Sequence, residues 1–179
     1  INVYEQVASM AVIGTDIYAG LGRSASDAEV WRWDGASWTK VGGDSVLGSW
    51  STGYETVQSL RADGSTLYAG IGDTAGDAEV WVYNGSSWTK IGGDGLNGGW
   101  SSANEYVSSL TVVGGNVYAG LGSTAGDADV WRWDGTSWTQ VGGDGLNGSW
   151  AASTYEIVAS MTQDGTNVYA GLANSNGDG

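Results

Sequence analysis

The sequence predicts an all-β protein assembled from repeated four-stranded antiparallel units. Three observations predict it. The tripeptide Tyr-Ala-Gly begins at Tyr18, Tyr68, Tyr118 and Tyr169, at spacings of 50, 50 and 51 residues. Residues 51–100 and 101–150 are identical at 29 of 50 positions. Each unit also holds four short stretches rich in Val, Ile, Trp, Tyr and Thr, and none carries the i, i+3, i+4 spacing of a helix over a useful length.

The second unit shows the elements in order. Its strands are expected at residues 57–62, 66–71, 78–83 and 87–91. Asp63-Gly64-Ser65 separates the first pair and Asn84-Gly85 the second, with Asp34-Gly35 and Asp134-Gly135 in the sister units. Such dipeptides tolerate the positive φ of tight primed turns, so both connections are read as hairpins. The other two connections are longer, at residues 72–77 and 92–105. Four antiparallel strands in a repeat of this length describe a β-propeller blade. The expected organisation is part of a single propeller over residues 1–179: blades at 1–50, 51–100 and 101–150, and a half blade at 151–179. The small Ser9, Ser59, Ser109 and Ser160 of the first strands suit the crowded centre. Trp31, Trp33, Trp38 and their equivalents are expected to fill the wedge where blades splay toward the rim.

At these residues the unit resembles a kelch-type repeat. Ile17-Tyr-Ala-Gly-Leu-Gly22 stands where that family has a glycine-ended strand, Val30-Trp-Arg-Trp-Asp-Gly35 at the third strand, and Trp38-Thr-Lys-Val41 at the fourth. The glycines are split (Gly20, Gly22) rather than adjacent, and the long Trp-ended loop is not a feature of that family. The resemblance implies a propeller fold that serves mostly as an interaction scaffold.

Composition narrows the chemistry. The chain has no His and no Cys, so Ser-His-Asp and Cys-His catalysis, disulfides and the usual N/S zinc sites are excluded. The 20 acidic side chains against 6 basic ones give a formal charge of −14, which disfavours nucleic acid and anionic membrane surfaces as partners. No run of about 20 apolar residues exists to insert in a membrane. The 32 Gly suggest low complexity, but 11 Trp and 9 Tyr at fixed places supply the apolar area that disordered chains lack.

In an up-and-down blade the short turns share one face and the long loops share the other, and rigidly held loops are where function concentrates. The long-loop face gathers Trp50, Trp100 and Trp150, Asp44, Asp94 and Asp144, and Asn97 and Asn147. Glu5, Glu55, Glu105 and Glu156 follow just beyond. An aromatic ring stacks on a sugar and carboxylates accept its hydroxyls, so these residues are the candidate ligand site, repeated per blade for avidity. The competing reading has each Trp capping a blade interface while the Asp and Glu residues fix loop amides. Asp27, Asp77 and Asp127 of the shorter loop are the candidate metal ligands, and Ca²⁺ is the ion that such oxygen donors suit. The loops match neither the EF-hand spacing nor the calcium β-helix pattern. Otherwise no cofactor is expected.

Paired carboxylates also serve glycoside hydrolysis, but nearly every acid here recurs in each unit, whereas an active site is single. The expectation is therefore a non-catalytic module that binds glycans or surface partners, or else a structural repeat of a larger surface or filament protein. High acidity with few Lys or Arg fits an extracellular or cell-surface setting. Three and a half blades are too few for a closed ring. The expectation is a piece of a longer chain, or several copies that complete one ring.

Overall fold

A computed structural model describes residues 6–23, 27–54, 56–74, 76–101, 104, 106–122, 128–151 and 155–173. The structure is all-β. Blade one is β1 (Gln6–Ile13), β2 (Asp16–Gly22), β3 (Val30–Trp33) and β4 (Trp38–Gly42). Blade two is β5 (Val57–Asp63), β6 (Thr66–Ile71), β7 (Glu79–Tyr83) and β8 (Trp88–Gly92). Blade three is β9 (Tyr106–Val113), β10 (Asn116–Gly122), β11 (Val130–Trp133) and β12 (Trp138–Gly142). The half blade is β13 (Ile157–Gln163) and β14 (Val168–Ala173). Strands follow chain order within each blade and pair antiparallel, giving an open, unclosed propeller-like array.

Adjacent blades touch along their first strands by a device repeated three times. A β-bulge follows Val7, Val57 and Val107, and it precedes Ser9, Ser59 and Ser109. A bulge re-aims the residue that follows it. Each of these serines donates its hydroxyl to a valine carbonyl of the next blade: Ser9 to Val57 at 2.9 Å, Ser59 to Val107 at 3.1 Å, and Ser109 to Val158 at 2.9 Å. The tripeptide glycine makes this approach possible. A Cβ on Gly120 would lie 2.5 Å from Ser109 Oγ and 2.7 Å from Val158 Cγ1. The second glycine has the same purpose. Gly22, Gly72 and Gly122 bridge to Thr56, Tyr106 and Ile157 of the following blade. The split glycine pair is thus two contact points on one strand.

The hairpin between the outer strands departs from expectation. Gly35, Gly85 and Gly135 take positive φ, but Asp34, Asn84 and Asp134 do not. The turn spans four residues, and its Asp or Asn acts through its side chain. Asp34 Oδ1 accepts the amides of Ala36 and Ser37, both at 2.9 Å, and Asn84 and Asp134 do the same. These amide donors hold the Asp34 and Asp134 carboxyls below the usual carboxylate range. The strand aromatics are also less uniformly interior than expected. Trp31, Trp33, Trp81, Trp131 and Trp133 are half-buried, and Trp38 is exposed.

Candidate functional site

The long loop after each fourth strand begins with a run of left-handed residues. In blade two these are Gly93, Asp94 and Gly95, then Asn97 and Gly98, with φ of 112°, 52°, 73°, 54° and 77°. Asp and Asn tolerate this region better than other non-glycine residues, because their short polar side chains bond locally. The loop closes on itself through Leu96 N to Gly93 O at 2.9 Å and Gly95 N to Trp100 O at 2.8 Å. Asn97 Nδ2 donates to Ile91 O at 3.0 Å, and Asn147 Nδ2 to Val141 O at 3.2 Å. In blade one Leu47 takes the place of the Asn and keeps the same φ, 53°.

This fold carries the loop-end Trp back over its own blade. The indole N–H of Trp50, Trp100 and Trp150 donates to Ala28 O, Ala78 O and Ala128 O, each at 2.7 Å. The Trp50 and Trp100 rings then enter the next blade. Trp50 meets Trp88 edge-on with ring centres 5.2 Å apart, and Trp100 meets Trp138 at 5.1 Å. Both loop rings are only 2% exposed, so neither offers a face to a sugar. In this packing the two rings fill the space between adjacent blades instead of standing ready to stack, and a ring buried in this way removes some 150–250 Å² from water. Trp150, in the same pose, is half-buried beside the half blade.

The carboxylates of the site are also engaged. Asp44 pairs with Lys40, and Asp94 pairs with Lys90 at 3.2 Å. The same ammonium groups reach back to Glu29, at 2.5 Å from Lys40, and to Glu79. Burial pulls both lysines down, and the flanking carboxylates outweigh it, so both pKa values lie above the ordinary range. Glu29 and Glu79 each accept an indole N–H, from Trp31 and Trp81 at 2.6 Å. Glu79 is 3% exposed, and burial together with its charge raises the Tyr54 hydroxyl pKa far above the ordinary tyrosine value. The lysine–glutamate–indole network was missed in the sequence. Its signal was Glu two residues before Trp, a spacing that puts both on one face of a strand. In blade three Asp129 and Gln140 replace the pair, and Gln140 donates to Asp129 at 2.9 Å. Asp144 there is exposed.

Of the remaining candidates, Asp27 and Asp77 are half-buried at the approach to β3 and β7. Asp77 accepts the Thr74 hydroxyl. Glu156 is half-buried, and its amide donates to Ala173 O at 3.1 Å. Glu5, Glu55, Glu105 and Asp127 lie outside the described residues. Among the described residues no three acidic side chains gather at a point that would hold a metal ion. Among the described residues no helix is long and apolar enough to cross a membrane. No family model and no curated protein matches the chain.

Proposed function

We propose that the chain is a non-catalytic structural module, a run of propeller-like blades whose recurring Trp residues lock one blade to the next and whose recurring Asp and Asn residues fix the loops that carry them. One observation carries the reading: the loop-end rings that would have to stack on a ligand, Trp50 and Trp100, are interior and hydrogen-bonded. The kelch-like assignment belongs to the same proposal, supported by the glycine-ended second strand and the aromatic third strand. An extracellular or cell-surface setting is proposed from the acid excess. A second reading, a long-loop face that docks a protein partner, draws on Leu47, Leu96 and Leu146, which stand exposed near the tips of the loops.

Binding of the purified chain to an immobilised glycan panel tests the first reading. Retention at background on every glycan is expected. Saturable retention that disappears in Asp94→Ala and Asp144→Ala variants of native fold would overturn it and restore a glycan site.

A further inference from the structure

The dipeptide Asn-Gly begins at Asn84, Asn97, Asn147 and Asn176, the last outside the described residues. Such a dipeptide carries chemistry of its own. The main-chain nitrogen that follows the Asn can attack the side-chain carbonyl carbon and expel ammonia, and a glycine leaves that nitrogen unscreened by a side chain. The fold sets the three described copies in two unlike states. Asn84, Asn97 and Asn147 are all exposed, so access to water does not separate them.

In the long loops both reacting groups are tied. Gly98 N donates to Gly95 O and Gly148 N to Gly145 O, each at 3.2 Å. The departing nitrogens, Nδ2 of Asn97 and of Asn147, donate to Ile91 O and Val141 O. Attack at either site has to break both bonds.

The outer turn of blade two is the opposite case. Among the described residues Gly85 N meets no acceptor, and the space beside its Cα is open. Asn84 Oδ1 accepts three donors, Ser86 N, Ser86 Oγ and Ser87 N, each at 2.9 Å. Negative charge develops on this oxygen during the attack, and donors already aimed at it stabilise that charge. The sister turns hold Asp34 and Asp134 on equivalent amides. Their carboxyls, kept ionised by those amides, are poor targets for the same attack. They also show that this turn accepts the acid that Asn84 would become.

We infer that Asn84 is a site of spontaneous deamidation, selected by the fold over the same dipeptide at Asn97 and Asn147. Gly85 N gives its proton to solvent hydroxide and bonds to Asn84 Cγ. The Cγ–Nδ2 bond breaks, and Nδ2 takes a proton from water and leaves as ammonia. Water then adds to either carbonyl of the succinimide ring and opens it to Asp or to isoaspartate. The Asp form keeps the turn of the sister blades. The isoaspartate form lengthens the main chain by a methylene and displaces Gly85, whose carbonyl accepts the Tyr83 hydroxyl at 2.9 Å. The Tyr83 ring stacks on Trp88, which donates to Val41 O of blade one, so this form disturbs the contact between the two blades.

The test holds the full folded chain at mildly alkaline pH, with a parallel sample in denaturant. Both are sampled over time and digested, and the peptides are followed by liquid chromatography and mass spectrometry with fragmentation that separates Asp from isoaspartate. In the folded chain Asn84 is expected to be lost at least about tenfold faster than Asn97 or Asn147, where two hydrogen bonds oppose the attack. In denaturant the three rates should converge. A folded-state preference for Asn84 no larger than the denatured one overturns the inference, as does an Asn84 that survives in the folded chain while the denatured chain loses it. Ser86→Ala removes one donor from Oδ1 at an exposed position. It should slow the loss of Asn84 in the folded chain and not in denaturant, and an unchanged folded rate overturns selection by these donors.

Discussion

Single side chains in this molecule are best understood by comparing the same position across blades. Trp31 and Trp81 donate to Glu29 and Glu79, but the buried Nε1 of Trp131 has no hydrogen-bond partner among the described residues. The cause is one methylene, since Asp129 stands where the others have Glu. A buried donor left unsatisfied costs about 1–3 kcal/mol. Asp129→Glu is therefore expected to raise the melting temperature by at least about 2 °C, given about 2–4 °C per kcal/mol for a chain of this size. Calorimetry of the variant checks it, and an unchanged or lower melting temperature would show that Glu cannot reach Trp131 there. Residue type alone was legible at such sites; residue role was not. Asp and Asn recur on the long-loop face, and recurrence of polar groups on a loop reads as a binding site. Their left-handed φ, invisible in the sequence, accounts for Asp94, Asn97, Asp144 and Asn147 without any ligand. Leu47 at the same φ shows that the backbone, not the side-chain chemistry, sets the demand.

At the scale of strands and loops the repeat was nearly transparent. Strands expected at 57–62, 66–71, 78–83 and 87–91 are found at Val57–Asp63, Thr66–Ile71, Glu79–Tyr83 and Trp88–Gly92. Self-comparison supplied this, because an error in one unit is corrected by the next. The packing partner of each strand was not legible, since a contact between blades is a contact across about fifty residues. The tripeptide glycine shows the difference. Gly70 faces both Ser59 and Val107 of the next blade, whereas Gly171 has, among the described residues, only Ser160 nearby. Gly70→Ala puts a methyl 2.6 Å from Val107 Cγ1 and forces the two blades apart. Overpacking of this kind costs about 1–3 kcal/mol. Gly171→Ala needs only a serine hydroxyl to turn. The expected order of stability, by denaturant midpoint, is wild type, then Gly171→Ala close to it, then Gly70→Ala well below. Equal losses at the two positions would contradict the interblade role.

For the molecule as a whole, the open array has two unlike ends. At one, the face of blade one leaves Val7, Met10, Val12 and Trp38 exposed, though Val57, Leu60 and Trp88 of blade two are buried against blade one. At the other, among the described residues, β14 pairs only with β13, and Tyr169 stands exposed. Neither end could be described from the sequence beyond the count of three and a half units, because exposure depends on which neighbour is present. The central claim is that the loop-end Trp residues are wedges that hold successive blades together. Hydrogen exchange at the indole protons, resolved by two-dimensional NMR with each Trp assigned, tests it most directly. The N–H groups of Trp50 and Trp100 should exchange only through opening of the blade interface, orders of magnitude more slowly than that of Trp38. Exchange of Trp50 and Trp100 as fast as Trp38 would place their rings in water and contradict the account.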